Sequence, residues 1–198
     1  DGIELPFYPA ESVMTRSGAE VEQQGVDILL EVKRVVTIPV AVKLAPLFTA
    51  FAHFAKQLDT AGADALVLFT RFHHVDIDVE ELEVVRSSRL SNSSDLPLRL
   101  RGTAAIAGRV TASLAITGGV HTGLDVIKAT MTGAHATQMV SALMRFGPGH
   151  LQTLRREIDA WMQQHEWTSL NDMRGNMSFD RIPDPAAYER ANFRLALR

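Results

Sequence analysis

The chain has 198 residues, of which 46% are hydrophobic and 22% are charged, a composition typical of one globular domain with or without an appendage. Lys and Arg total 20 against 23 for Asp and Glu, and the formal charge of -3 argues against binding of nucleic acid through a basic surface. The sequence contains no cysteine, which excludes disulfides, zinc–thiolate sites, iron–sulfur clusters and a cysteine base or nucleophile.

Residues 35–55 form the most apolar stretch, but Pro39, Lys43 and Pro46 interrupt it. A membrane span needs about 20 apolar residues, so we expect no membrane segment. We also expect no signal peptide, and we expect the protein to be cytoplasmic. Because the first residues already have the pattern of a folded element, we also expect an N-terminal portion to precede them.

Short apolar runs alternate with amphipathic stretches of helical period along the chain. Capping-box spacing at Ser17 and Glu20, and again at Thr122 and Asp125, marks two helix starts. The predicted strands cover residues 2–7, 40–44, 65–69, 113–116 and 136–139, with a small additional strand at 83–86, and the predicted helices cover residues 18–36, 51–61, 96–110, 123–131 and 151–162. Regular alternation of strand and helix predicts an α/β protein with a parallel sheet.

A doubly wound sheet and a (β/α)8 barrel both fit this order, and the spacing of the strands favours the barrel. A complete barrel has eight strands in about 250 residues, whereas this chain supplies five strands. The prediction is therefore one incomplete (β/α)8 TIM barrel over residues 1–198, with approximately strands 4 to 8. Residues 168–198 are predicted to form a C-terminal helical extension packed on that domain.

Residues 117–123, Thr-Gly-Gly-Val-His-Thr-Gly, follow a predicted strand and open a helix. Glycines let backbone N–H groups approach a phosphate, and the helix dipole favours the anion. A second turn follows one βα unit later, at residues 139–142, and barrels often hold a phosphate between the loops after strands 7 and 8. The two turns together predict a phosphate site. The alternative is that both are tight turns in which glycine is needed only for the backbone conformation. On this prediction Gly119→Val abolishes phosphate binding, because the side chain fills the approach path.

Lys43 lies in the apolar run 40–44, near the C-terminal end of a strand, where a charged head group needs a partner. Such strand ends line the active sites of barrels, although a lysine can also bury its stem and extend its head to solvent. Residues 73–78 hold metal-ligand types, but adjacent side chains on an extended segment point oppositely, so a solvated or substrate-covering loop without metal is predicted. Packing roles are predicted for Trp161, Met139, Met144 and Met162.

Together these segments resemble the C-terminal portion of the dihydroorotate dehydrogenase-like flavoproteins, which are FMN-binding (β/α)8 barrels. The matching segments are residues 38–46, 69–72, 76–78, 117–123, 133–134, 138–143 and 189–192. The resemblance implies an FMN-dependent oxidoreductase of the CH–CH type, linked to pyrimidine biosynthesis. Hydride would pass from a dihydropyrimidine-type substrate to flavin N5 while a base removes a neighbouring proton.

The resemblance also implies which residues contact the cofactor. Lys43 would meet the flavin N1/C2-carbonyl edge and stabilise the negative charge that develops there on reduction. The FMN phosphate would be held by both turns. Thr117, Gly118 and Gly119 would contribute from the first turn, and the backbone of Val140 and Ser141 from the second.

The sequence departs from the family at three positions that matter for catalysis. Pro9 stands where the family has its Cys or Ser base, and Pro6 and Thr70 stand where it has Asn residues that bind the pyrimidine. Thr70 is therefore the substrate-binding candidate, and the catalytic base is unassigned, with Ser12 as a nearby candidate.

Two other functions remain open on the sequence. One is a non-catalytic barrel that binds FMN or another phosphate ligand and has lost its base. The other is a different phosphate-binding barrel enzyme, a lyase or isomerase, that uses Lys43 as base or Schiff-base amine. The expected partner is a small-molecule substrate, without nucleic acid or membrane, and a homo-oligomer is left open.

Overall fold

A computed structural model gives the fold and describes residues 1–9, 14–71, 74–87 and 89–185. Five parallel strands form its main sheet, in the order β1 (Ile3–Phe7), β2 (Val40–Leu44), β3 (Ala65–Leu68), β6 (Ser113–Thr117) and β7 (Ala136–Gln138). The prediction of an α/β chain with a parallel sheet is confirmed. Each of these strands pairs with the next one along the chain, whereas a doubly wound sheet reverses its direction part-way. The order is therefore consistent with an arc of a singly wound βα barrel.

The helices form one layer against this sheet. They are α1 (Gly18–Val35), α2 (Phe51–Thr60), α3 (Leu96–Ile106), α4 (Gly123–Thr132), α5 (Ser141–Phe146), α6 (His150–Gln164) and α7 (Leu170–Met173). Successive crossovers that are right-handed and advance in one direction leave their helices on the same face, and α1 packs on α2, α2 on α3 and α3 on α4. Within the described ranges, no helix has the length and apolarity that a bilayer crossing requires.

The core lies between the sheet and the helices, and the strand alternation decides which side chains enter it. Val40, Val42 and Leu44 of β2 are buried under the helices, while Lys43 between them is only partly buried. Successive strand residues point to opposite faces, so Lys43 lies on the face that carries no helix. Burying one Val or Leu contributes roughly 1.5–3 kcal/mol, which fixes the orientation of the strand and hence of Lys43.

Both predicted capping boxes are present. Ser17 and Glu20 exchange hydrogen bonds at the start of α1, and Thr122 and Asp125 do so at the start of α4. The predicted helix over residues 96–110 is shorter, because α3 ends at Ile106.

Residues 74–78, predicted as a loop, form β4 (His74–Asp78), which pairs in antiparallel fashion with β5 (Glu83–Ser87). The loop prediction is wrong there, since alternating β-branched residues favour a hairpin. Ile77 lies opposite Val84. His73 lies outside the described residues.

The packing role predicted for Met144 is also wrong, since this residue is 68% exposed.

The described part of the C-terminal extension runs past the N-terminal ends of the strands. The N–H groups of Gly175 and Met177 donate to carbonyls of α4, and that of Phe179 donates to the Ala104 carbonyl of α3. The remainder of the predicted helical extension, residues 186–198, lies outside the described ranges.

Asp59 is a buried carboxylate that joins α2 to the segment entering β6. Its Oδ1 accepts hydrogen bonds from the Thr111 hydroxyl and from the Thr111 and Ala112 N–H groups, and its Oδ2 accepts one from Lys56. Burial acts to raise the pKa of Asp59, but these bonds outweigh it and lower the pKa from 3.8 to about 2. The carboxylate therefore stabilises the fold above pH 3.8, and this contribution is lost as the pH falls through about 2.

We predict that Asp59→Asn lowers the free energy of unfolding by about 2 kcal/mol at pH 7 and that the difference from wild type shrinks towards pH 2. Urea unfolding of the full-length protein at several pH values measures this. Asp27→Asn is the control, because within the described ranges the hydrogen bond that Asp27 accepts, from Gln23, is exposed. Equal losses from both variants, or a loss independent of pH, would contradict the assignment.

Candidate functional site

Glu4, Lys43 and Gln138 come from three strands and meet on the helix-free face of the sheet. Lys43 Nζ lies 2.9 Å from Glu4 Oε1, and Gln138 Nε2 donates to Glu4 Oε2 at 2.6 Å. The strands of Glu4 and Gln138, β1 and β7, are the two edges of the sheet. Four strand spacings of about 4.8 Å would separate these edges by roughly 19 Å in a flat sheet. Two side chains cannot span that distance sideways, so the sheet is strongly curved and the three residues lie on its concave face.

The partner that Lys43 requires is Glu4, which the sequence reasoning did not identify. Their side chains are 22% and 34% exposed, so the ion pair is shielded on one side and open on the other. Burial acts to raise the pKa of Glu4, but the hydrogen bonds from Gln138 and Lys43 and the charge of Lys43 hold it below its ordinary value. Glu4 is therefore ionised at neutral pH.

The two predicted turns lie side by side at the C-terminal ends of β6 and β7. Gly119 donates its N–H to Ser91 Oγ at 3.4 Å, and the N–H of Ser91 donates to Ser141 Oγ at 3.1 Å. The Gly118 N–H donates to the Gln138 carbonyl at 3.4 Å. Ser91 thus connects the turns, and the sequence offered no signal for it because it lies in an irregular polar stretch.

Gly119 is required for a different reason from the one predicted. Its φ is +79°, in the left-handed region, and a Cβ there would lie 2.6 Å from the backbone nitrogen of Leu96. A side chain would therefore strike the start of α3 and would not fill a path open to phosphate. The explanation given for Gly119→Val is corrected on this point.

Arg99 is a buried cation beside these turns, with only 7% of the residue exposed. Its Nε donates to the Thr117 carbonyl and its Nη1 to the Asp95 carbonyl, at 2.5 and 2.6 Å. Burial lowers the pKa of Arg99, which the charge of Asp95 partly offsets. An arginine stays protonated in proteins, so Arg99 places a fixed positive charge under the end of β6.

A cavity of about 260 Å³ opens at the C-terminal ends of the strands. The Thr70 hydroxyl oxygen is buried and has no hydrogen-bond partner among the described residues. The Thr70 N–H donates to the Leu44 carbonyl at 2.7 Å, which fixes this residue beside the end of β2. The cavity is lined by Pro46, Thr70, Arg71, Ser91, Ser94, Asp95, Leu98 and Arg99. An unpaired buried hydroxyl costs roughly 1–3 kcal/mol, so a ligand or water is expected to complete it.

His121 is a second buried group that the sequence reasoning left unassigned. Its Nε2 lies 3.2 Å from Ser91 Oγ, and its backbone N–H donates to Asp125 Oδ2 at 2.9 Å. Burial, helped by the charge of Arg145, lowers the pKa of His121, so the ring is neutral at neutral pH. His121 therefore supports Ser91 by a neutral hydrogen bond.

Two further sequence expectations concern Ser12 and a metal site. Ser12 lies outside the described residues. Among the residues that the structure describes, no three His, Cys, Asp or Glu side chains are placed to hold a metal ion.

Comparison with known proteins identifies the family. The sequence model of the dihydroorotate dehydrogenases matches residues 13–162. The chain belongs to the dihydroorotate dehydrogenase family. Its parallel sheet and helix layer are consistent with part of the barrel domain of that family, and the family resemblance drawn from the sequence is confirmed.

Several curated relatives are catalytic subunits of dihydroorotate dehydrogenase B (NAD(+)). The protein of Citrifermentans bemidjiense is 30% identical over 152 residues, which cover 75% of this chain and 50% of the relative. The protein of Shouchella clausii is 27% identical over 158 residues, 78% of this chain and 52% of the relative. That of Methanothermobacter thermautotrophicus is 26% identical over 152 residues, 75% of this chain and 50% of the relative. The chain spans about half the length of the curated relatives it matches.

We predict that Gly119→Ala destabilises the full-length protein by about 2 kcal/mol or more, since the left-handed backbone and the contact with Leu96 both oppose a Cβ. Gly149→Ala is the matched control, because its φ is −60° and no atom lies near the added Cβ. Thermal unfolding measures both. Equal melting temperatures for the two variants would show that the turn tolerates a side chain.

Proposed function

We propose that this chain carries part of an FMN-dependent oxidoreductase of the CH–CH type, dihydroorotate dehydrogenase-like, that acts on a dihydropyrimidine-type substrate in pyrimidine biosynthesis. The observation that carries the proposal is the partly buried Lys43 on the concave face of the sheet. It lies at the C-terminal end of a strand, where barrel enzymes place their catalytic groups, in a chain whose family consists of dehydrogenases.

The residues present at this edge fit the polar ends of FMN. Phosphate would lie against the two turns that Ser91 connects, with Thr117, Gly118 and Gly119 on one side and Val140 and Ser141 on the other. Arg99 supplies positive charge next to the first turn. The buried Thr70 hydroxyl, unpaired in the described part of the chain, is a ready donor or acceptor for a ligand in the cavity.

Bound FMN would supply the hydride acceptor, at its N5 atom. The chain's own contribution is electrostatic and positional. Lys43 presents an ammonium towards the concave face, and a preorganised cation stabilises charge that develops during reduction more than it stabilises the uncharged starting state. Thr70 would orient the substrate by a hydrogen bond, which discriminates against analogues that lack the partner group. The base that removes the substrate proton is left unassigned.

A second candidate is a flavin-binding barrel without catalysis. Pro6 favours it, because Pro6 pairs in register with Lys43 and has no polar side chain to offer a substrate. Pro9, which stands in the position of the family's base, offers none either. Such a protein would bind FMN but show no reduction of the flavin by dihydroorotate or related dihydropyrimidines.

The deciding experiment is an absorbance spectrum from about 350 to 500 nm of the full-length protein purified without added cofactor. Flavin bands that bleach with a dihydropyrimidine support the oxidoreductase, and bands that never bleach support the second candidate. A colourless protein that takes up no FMN overturns both. Borohydride trapping of a substrate on Lys43 would then point to the lyase or isomerase alternative.

We predict that Lys43→Ala leaves the fold intact but weakens FMN affinity or slows flavin reduction by about tenfold or more, as loss of one charged contact implies. Lys33→Ala is the matched control, since Lys33 forms a comparable ion pair with Asp64 at 2.7 Å. That pair lies at the N-terminal ends of the strands, away from the proposed cofactor site. FMN titration and stopped-flow reduction measure the effect. Equal values for both variants would remove Lys43 from the cofactor site.

A further inference from the structure

Among the described residues, the contacts that explain the presence of Glu4 are those with Lys43 and Gln138. Its neighbours Ile3 and Leu5 face the helices, whereas the Glu4 carboxylate reaches over the concave face. Each carboxylate oxygen has its own partner, Oε1 with Lys43 and Oε2 with Gln138. The carboxylate is therefore held between the neighbouring strand β2 and the far edge strand β7, and it in turn fixes the ammonium.

We propose that Glu4 is the positioning residue for Lys43, holding its ammonium at the concave face and moderating the positive charge that a ligand meets there. The proposal deepens the proposed function and rests on it wherever FMN is involved. A lysine side chain has a large rotamer entropy, so without Glu4 the ammonium would occupy many positions. With Glu4 bound to Gln138, one position is favoured.

The charge of Glu4 has a second consequence. A cation beside a flavin favours the reduced form, which carries more negative charge, and a carboxylate at 2.9 Å from that cation weakens the effect. Removal of the carboxylate charge is therefore expected to make reduction of the bound flavin easier. A residue with a merely structural role would change the melting temperature without moving the flavin potential.

The first test measures the midpoint potential of FMN in the full-length protein for Glu4→Gln, Lys43→Met and the double variant. Glu4→Gln is expected to shift the potential to more positive values and Lys43→Met to more negative values. In the Lys43→Met background, Glu4→Gln is expected to have little effect, because its action passes through the lysine. An unchanged potential in Glu4→Gln, or fully additive shifts, overturns the proposal.

The second test does not require the cofactor. Lys43 in the apo full-length protein is labelled with a limiting amount of an amine-acylating reagent, and the labelling is quantified by mass spectrometry. Glu4→Gln is expected to speed the labelling of Lys43 and to leave Lys33, paired with Asp64, unchanged as an internal control. Equal labelling of Lys43 overturns the positioning role. Failure of FMN to bind overturns the proposed function while leaving this result intact.

A separate cavity of about 180 Å³ lies at the opposite end of the strands, their N-terminal end. Among the described residues, it is bounded by the turns that lead into β6 and β7 and by the C-terminal segment. The residues that matter are Gly108, Gly133, His135, Arg174, Asp180 and Arg181. Asp180 is already paired with Arg109 at 2.7 Å.

Arg174 is the unusual group in this cavity. Its Nε is buried without a hydrogen-bond partner, and no ion pair to its guanidinium is found among the described residues. The His135 ring accepts the Leu114 N–H on Nδ1, so a neutral ring carries its proton on Nε2 and can donate. Arg181 adds a second cation, whose Nη1 donates to the Arg174 carbonyl at 3.5 Å. The unpaired Nε of Arg174 and the two arginine charges together favour an acceptor with negative charge.

We infer that this cavity binds a small oxyanion, a phosphate or carboxylate group, on Arg174. Its test is calorimetric titration of the FMN-loaded full-length protein with inorganic phosphate and, separately, with acetate, at constant ionic strength. Saturable binding that Arg174→Gln weakens about tenfold or more supports the site, and the tighter anion names the group. Arg156→Gln, on the exposed face of α6, is the control. Absence of saturable binding, or binding that Arg174→Gln leaves unchanged, overturns the inference.

Discussion

The hydrogen bond from Gln138 to Glu4 shows the constraint on which the rest of the molecule depends, namely the curvature of the parallel sheet. Strands that pair in chain order, each followed by a right-handed crossover, place all their helices on one face. The sheet then bends away from the helix layer, and its other face becomes concave. Apolar residues such as Val42 fill the helix side, so the polar residues that alternate with them are turned towards one another. The ion pair of Lys43 is a consequence of that geometry.

The two ends of the sheet differ in how their polar groups are satisfied. At the N-terminal edge, Asp59 uses both oxygens, and Asp64 binds Lys33 and the Val40 N–H. These contacts join consecutive βα units and act on stability. At the C-terminal edge, Thr70 has a buried hydroxyl without a partner among the described residues, and Gly119 is held in a left-handed conformation. Barrel folds commonly separate stability from function along their axis in this way.

Elements with a local signal were predictable from the sequence. The capping box at Ser17 and the apolar run ending at Leu44 each depend on residues close in the chain, and both predictions are confirmed. Glu4 was missed because its partner Lys43 is 39 residues away and nothing in either segment specifies the other. Gly119 was predicted to be necessary, but the obstacle, the backbone of Leu96, becomes visible only when α3 is packed against the turn.

The contrast between Lys43 and Thr70 separates two kinds of functional group. Lys43 is satisfied by Glu4 within the described chain, so a ligand is not needed to make its burial tolerable. Under the proposed function, its effect on a bound cofactor would be that of a fixed charge, and Glu4 would set the strength of that charge. The Thr70 hydroxyl is buried and unpaired in the described chain, a cost of roughly 1–3 kcal/mol that a bound molecule would remove. The C-terminal ends of the strands thus combine a preorganised charge with an open hydrogen-bonding group, a combination that suits the proposed oxidoreductase, which would hold a charged cofactor and select a polar substrate.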